Sequence, residues 1–392
     1  MDPITALLDD LLDEIRPIDT GAPADYIPEL AEADPDRFAL AVVGPRGRVR
    51  PVGDSGHEFT IQSISKPFVL ALALEDRGRE AVLERVGVEP SGEPFNAISL
   101  EAGTGRPANP MVNAGAIATT SLVGEGEVDE RMARIAAKLS DFAGRSLWVD
   151  ESVYASEAAT GDRNRALAHL LKSNGILLGS VDVAVETYFR QCSLLVTVRD
   201  LAVMGATLAF GGINPVTRRR VVSETVARDV LSIMASCGMY DYSGEWLLRV
   251  GLPAKSGVSG GLLAVAPSQF GVAAFSPRLD AHGNSVRGIA AVETLADRFG
   301  MHLLESHDTI AAPAVRVEES PEGRVIRLDG ELGFAGTERV VGVLRELAAS
   351  LPSDAVVIVD ASELGRTHPA ALITLRAEFE LMPDGFRLAE QR

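Results

Sequence analysis

The stretch Gln62-Ser63-Ile64-Ser65-Lys66-Pro67 lies where strand-like Glu58 to Gln62 gives way to the Ala- and Leu-rich segment Phe68 to Arg77. On a helix, Ser63 and Lys66 would fall one turn apart on the same face. An alcohol is a poor nucleophile near pH 7 and needs a neighbour to take its proton. A lysine does so when burial and a helix N-terminus lower its pKa. Pro67 disfavours α conformation at Lys66, which predicts a tight turn just before a regular helix. The chain has only four lysines, Lys66, Lys138, Lys172 and Lys255, and its other basic residues are arginine. A remaining lysine is therefore a candidate for a task that arginine cannot perform, such as giving up a proton.

The pattern extends outward in both directions. Upstream, Phe38 to Val43 reads as a strand followed by the turn Gly44-Pro45-Arg46-Gly47, and Ile4 to Arg16 as an amphipathic helix. Downstream, residues 90 to 115 hold many Gly, Pro and Asn and read as loops. Helical periodicity covers Glu130 to Ala143, Glu151 to Ser173, Val181 to Gln191, Thr197 to Ala209 and Ser223 to Ser236. Pro253 to Ser259, Gly261 to Ala266 and Gly271 to Ser276 read as returning strands, with a helix over Val286 to Phe299. This is an α+β layout in which the two ends of the segment meet in one sheet and helices fill the middle.

A second lysine stands in Gly251-Leu-Pro-Ala-Lys255-Ser256-Gly257-Val258-Ser259-Gly260-Gly261. A K-[ST]-G strand beside an S-x-x-K serine resembles the penicillin-recognising pattern. Its glycines let backbone N–H groups approach a substrate closely, as an oxyanion hole requires. The two stretches together favour serine acyl transfer. With 37 basic and 55 acidic residues the net charge is −18, which argues against nucleic acid or an anionic membrane surface as a partner. Apolar residues at 46% and charged residues at 23% describe a soluble globular chain. Cys192 and Cys237 make no disulfide framework, and the acidic N-terminus lacks the basic start of a signal peptide, so a cytoplasmic protein is expected. The six histidines form no metal-binding spacing, and Gly103-Thr-Gly105 followed by Arg106-Pro107 opens no helix over a phosphate.

Residues 5 to 305 resemble the serine-dependent glutaminases with a β-lactamase-like fold. The motifs, in order, are Ser63-Ile-Ser-Lys66, Asn109-Pro-Met-Val-Asn113-Ala-Gly-Ala, Glu157-Ala-Ala-Thr-Gly-Asp-Arg-Asn164, Tyr188-Phe-Arg-Gln-Cys-Ser193, Gly238-Met-Tyr240-Asp-Tyr-Ser-Gly244 and the Gly251 to Gly261 stretch. The resemblance implies hydrolysis of L-glutamine to L-glutamate and ammonia without a metal or organic cofactor. It implies Ser63 as nucleophile, Lys66 as its base and Tyr240 as a proton relay to the leaving ammonia. The backbone N–H groups of Ser63 and Val258 would form the oxyanion hole. Glu157 would pair with the substrate's α-ammonium, and Asn113, Asn164 and Tyr188 would hold its carboxylate and amino ends. Tyr26 would close over the pocket from a mobile loop, and Lys255 would contribute structurally. A buried carboxylate such as Glu157 costs energy unless a cation meets it, which agrees with that placement.

A polar break over Ser306 to Pro313 precedes a small β-α-β-α unit: Val325 to Leu328, Gly336 to Ser350, Ala355 to Val359 and Ala370 to Leu381. Its Val357-Ile-Val-Asp360-Ala-Ser362 resembles a STAS domain, although the position of that family's regulatory serine falls on Pro369 or Ala370 and the final helix is missing. The expected division is a glutaminase domain over 1–306, a linker over 307–314 and a STAS-like domain over 315–392. A homo-oligomer is expected, with the partner of the small domain unknown. Two rivals remain open. Another β-lactamase-like acylase or esterase would share Ser63 and Lys66 without needing Glu157 and Asn164. A STAS-type regulator with an inactive large domain is the other.

Overall fold

The computed structural model describes residues 3–93, 97, 100–304, 314–320, 323–352, 355–367, 369–379, 381–382 and 385–389. The described chain divides into two compact units, one of residues 9–293 and one of residues 1–8 with 294–392.

In the larger unit, a five-stranded antiparallel sheet runs in the order Val49–Gly53, Ala39–Val43, Phe270–Phe275, Gly261–Ala266, Ala254–Ser256. Strands from before and after the helical middle are therefore neighbours, as the α+β reading expects. The pairing of Ala39 with Phe275 and of Val43 with Gly271 joins the two chain segments at the centre of the sheet. Strand Val49–Gly53 was not among the expected strands. It lies at the edge, where only alternate residues are buried, so it lacks a continuous apolar run.

Helix Val198–Ala209 lies against the sheet, and glycines set how closely. A Cβ at Gly271 would lie 2.2 Å from the Ala202 carbonyl oxygen, and one at Gly205 would lie 2.6 Å from Leu263. One core combines sheet, helix Ser65–Arg77 and helix Val128–Ala143, around Phe68, Phe142, Leu139 and Leu201. Each such fully buried side chain contributes roughly 1.5–3 kcal/mol over an exposed one. A second core forms between helices Asn113–Leu122, Asp162–Ser173 and Val181–Cys192, around Ile117, Leu167, Leu171 and Phe189.

Two expectations need correction here. The reading of residues 90 to 115 as loops misses the start of helix Asn113–Leu122, whose small and hydroxylated residues mute its periodicity. The expected helix Glu151 to Ser173 is two helices, Glu151–Thr160 and Asp162–Ser173. They break at Gly161, where a Cβ would lie 2.1 Å from the Phe189 ring.

The smaller unit holds a four-stranded sheet in the order Phe386–Ala389, Val357–Thr367, Gly323–Leu332, Ala314–Ser320. The first two pairings are parallel and the last antiparallel. Helices Phe334–Ser350 and Pro369–Phe379 supply the crossovers that parallel neighbours require. Strand Ala314–Ser320 begins at the last residue of the expected linker, and residues 305–313 lie outside those described. Among the described residues, no helix is long and apolar enough to cross a membrane.

Candidate active site

A short turn precedes the helix, as expected, but the helix begins at Ser65, ahead of Pro67, and so includes Lys66. Gln62–Ile64 is a short 3-10 turn that leads directly into helix Ser65–Arg77. Lys66 and Pro67 occupy the helix's first turn, where a proline's missing N–H leaves no intrahelical bond unmade. Gln62 adopts φ +48°, in the left-handed region. That costs a residue with a Cβ roughly 1–2 kcal/mol. Strain held by the surrounding structure at such a turn is a mark of a functional site.

Lys66 is 2% exposed. Its Nζ donates to the Met111 carbonyl at 3.0 Å and to Asn113 Oδ1 at 2.8 Å, and stands 3.5 Å from the Tyr240 hydroxyl. Burial lowers its pKa to about 7. Lys66 can therefore lose its proton near neutrality. Half-buried Ser63 shares a hydrogen bond with the Tyr240 hydroxyl. Tyr240 is also strained, at φ +57° on the turn Tyr240–Tyr242, and burial pushes its phenol well above the usual range. The structure thus brings Ser63 and Lys66, from one turn-and-helix segment, together with Tyr240 from another.

Tyr240 meets the second lysine as well. The Lys255 ammonium sits 3.8 Å from the Tyr240 ring centroid and donates to the Ser256 carbonyl at 2.8 Å. Burial, and then the neighbouring Lys66 charge, hold the Lys255 pKa well below the usual lysine range. The other two lysines serve surface contacts: Lys138 reaches Glu75 and the Val221 carbonyl, and Lys172 the Gly179 carbonyl.

Val258 lies in the turn after strand Ala254–Ser256, closed by the bond from Gly260 N–H to the Gly257 carbonyl at 2.9 Å. A Cβ on Gly257 would lie 3.1 Å from the Ile61 carbonyl and 3.4 Å from Gln62, so this turn abuts the one that carries Ser63. The Ser256 and Ser259 hydroxyls on either side of Val258 are buried without a hydrogen-bond partner among the described residues.

The remaining candidates form two linked groups. Asn113 Oδ1 accepts from Lys66 and from the Tyr188 hydroxyl at 3.3 Å, while its Nδ2 donates to Asn164 Oδ1 at 3.0 Å. Glu157 is 8% exposed and accepts from the Tyr26 hydroxyl at 2.7 Å and from Gln62 Nε2 at 3.0 Å. Both donors are neutral, and burial raises the Glu157 pKa more than these bonds lower it. Tyr26 keeps 46% of its surface exposed although its hydroxyl reaches this buried carboxylate, so it lies across the edge of the site.

Sequence reasoning missed Gln62, the Met111 carbonyl, Ser65 and Gln191. Ser65 Oγ donates to the Gln62 carbonyl at 2.8 Å and accepts from Gln191 Nε2 at 3.4 Å, bracing the strained turn. The one available signal was the position of Gln62, immediately ahead of the serine. Burial pushes the Cys192 thiol up to about 12, so it remains protonated. Among the described residues, no group of three or more His, Cys, Asp or Glu side chains is placed to hold a metal.

A glutaminase family model matches residues 21–304. The chain belongs to the glutaminase family. A glutaminase of Clavibacter michiganensis is 56% identical over 302 residues, which cover 77% of this chain and 93% of that one. Glutaminase 1 of Bradyrhizobium diazoefficiens is 46% identical over 98% of this chain. The chain spans 64% of that relative's length, and 60% of the length of Glutaminase 2 from the same organism. Among solved structures, Mglu in its glutamate form superposes with a TM-score of 0.77 at 41% identity, over 100% of this chain and 99% of that one. The mixed α/β fold is thus that of solved glutaminase-family structures.

Proposed function

We propose that this glutaminase-family chain hydrolyses L-glutamine to L-glutamate and ammonia through an acyl-enzyme on Ser63. Lys66, neutral in about half of molecules near pH 7, takes the Ser63 proton as Oγ attacks the side-chain amide carbon. The oxyanion that forms is met by the backbone N–H groups of Ser63 and Val258. Tyr240 gives its hydroxyl proton to the departing ammonia and takes in turn the proton that Lys66 received from Ser63, which leaves Lys66 neutral. Water then attacks the acyl carbon as its proton goes to Lys66, and glutamate leaves as that proton is returned to Ser63 Oγ. Glu157 pairs with the substrate's α-ammonium, and Asn113, Asn164 and Tyr188 hold its other polar atoms. Tyr26 closes the edge.

One observation carries this reading. Gln62 donates to a buried carboxylate, Glu157, that among the described residues meets only neutral donors, while its neighbour Ser63 and the buried Lys66, whose pKa burial lowers to about 7, converge on the Tyr240 hydroxyl. A buried anion of that kind awaits a cation, and the α-ammonium of an amino acid supplies one within reach of the nucleophile. A β-lactamase-like acylase would have no use for that anion.

The test compares ammonia release from glutamine and asparagine with nitrocefin opening. Glutamine is expected to be turned over, asparagine poorly, and nitrocefin not at all. Ser63→Ala should abolish activity with the fold intact, and Lys66→Arg should do the same because a guanidinium keeps its proton. Activity of more than a few percent in pure Ser63→Ala protein would refute the acyl-enzyme. We assign about residues 1–306 a β-lactamase-like fold and residues 315–392 a STAS-like role in assembly or regulation, in a cytoplasmic homo-oligomer. The mixed sheet with its two crossover helices supports the STAS-like assignment.

A further inference from the structure

Tyr240 holds a backbone conformation that an aromatic residue does not adopt unaided, so the segment carrying it must be pinned. One side is pinned by packing. Gly238 stands so close to strand Ala254–Ser256 that a Cβ there would lie 1.8 Å from the Ala254 carbonyl oxygen. Inside the turn, Met239 N–H donates to Ser243 Oγ at 3.1 Å.

The other side is met by a different part of the chain. His282 Nδ1 lies 3.1 Å from Asp241 Oδ2, the carboxylate of the residue that follows Tyr240. A carboxylate only accepts, so the imidazole N–H donates. The His282 ring also lies against the Tyr242 ring, with centroids 5.5 Å apart. His282 is itself held: Asp280 Oδ1 accepts from the backbone N–H groups of His282 and Asn284, both at 2.9 Å. The same segment reaches the second catalytic turn. Ser285 Oγ donates to the Ser276 carbonyl at 2.8 Å, and Ser276 N–H donates to the Gly260 carbonyl at 3.0 Å, at the end of the turn that carries Val258.

We propose that His282 is a positioning residue for Tyr240, acting through Asp241. It touches neither substrate nor nucleophile. Its bond to Asp241 and its packing on Tyr242 hold residues 241 and 242 from outside, while Gly238 seats the segment from within, and the Tyr240 hydroxyl stays directed at Ser63 and Lys66. The proposal rests on the reading of Tyr240 as a proton-transfer group. Because Tyr240 acts in the chemical step and Glu157 anchors the substrate, loss of the His282 contact should lower kcat and leave KM in place.

The experiment measures kcat and KM for glutamine, together with thermal stability, in His282→Ala, His282→Asn, Asp241→Ala and the double alanine variant. His282→Ala should lower kcat about fivefold, the usual worth of one hydrogen bond, with KM changed less than about twofold. His282→Asn, whose amide N–H can take the place of Nδ1–H, should recover most of the loss. The double variant should be no slower than the slower single one, since both remove one contact. An unchanged kcat in His282→Ala, losses that multiply in the double variant, or an Asn variant as slow as Ala would each overturn the proposal. A Tyr240→Phe control separates the two readings. If it is inactive while His282→Ala is normal, only the role of His282 falls; if it is fully active, the role of Tyr240 falls and that of His282 with it.

Discussion

A lysine deprived of water is the physical centre of this protein. Lys66 accepts burial because the Met111 carbonyl and the Asn113 amide oxygen satisfy its donors without neutralising it, so desolvation acts on its pKa almost unopposed. The neutral amine is the working base, so kcat/KM for glutamine should rise with pH along a one-proton limb centred at about 7. Tyr240, held well above the ordinary phenol range, should delay any alkaline fall beyond about pH 10. A limb below about pH 5, where only carboxylates titrate, would remove Lys66 from the mechanism. The same shift carries a stability signature. Between about 7 and the usual 10.5, the unfolded lysine keeps its proton and the native one has lost it. The unfolded state then binds more protons, so stability rises with pH. Lys66→Met should remove about 1.4 kcal/mol per pH unit from that slope, read from denaturant titrations at a series of pH values. At the substrate end, Glu157→Gln replaces an anion by a neutral group of similar shape. KM for glutamine should rise at least about tenfold with a smaller change in kcat. An unchanged KM would move the ammonium site elsewhere.

Elements, rather than single residues, set the distances at the site. The start of helix Asn113–Leu122 is pressed onto the segment before it, because a Cβ on Gly115 would lie 1.8 Å from the Asn109 carbonyl oxygen. That segment is itself folded back by Asn109, whose Oδ1 accepts from Met111 and Val112 N–H groups and whose Nδ2 donates to the Glu89 carbonyl. Gly115→Ala must therefore push Asn109 and Pro110 outward, and with them the Met111 carbonyl that Lys66 uses. It should cost about 1–3 kcal/mol of stability, as overpacking does. It should also slow turnover more than about tenfold, since misplacement of even an ångström is costly at a reacting centre. Melting curves and glutamine kinetics on the purified variant check both. Strands and long amphipathic helices of this region were legible from periodicity. Helix Asn113–Leu122 was not, because buried on all sides it has no polar face to contrast with an apolar one. The break at Gly161 was also illegible, since its cause is the Phe189 ring of another helix.

At the scale of the molecule, all proposed chemistry, from Tyr26 to Val258, lies within the unit of residues 9–293, and the small unit has a core of its own around Ile326, Leu344, Val357 and Leu375. A chain ending at Pro313 should keep kcat/KM for glutamine within about threefold of the full chain, because a domain with its own core folds by itself. Sedimentation of the two forms shows whether the small unit governs assembly. A folded fragment without activity would mean that the site needs the C-terminal residues. The amino-acid sequence by itself determined most of the strands and helices around the turn at Ser63, edge strand Val49–Gly53 and helix Asn113–Leu122 apart, and the stock of chemical groups: a serine three residues from a scarce lysine, a carboxylate in a motif, three of five tyrosines. Only the tertiary structure decided what those groups became. Lys66 meets Tyr240 across 174 residues of chain, and Gln62 meets Glu157 across 95. A lysine's pKa is fixed by the water it loses and the charges that stand near it. Both are supplied by segments that no local pattern brings together, which is why Lys66 and Lys255 turn out to be the buried pair around one tyrosine while Lys138 and Lys172 remain surface contacts.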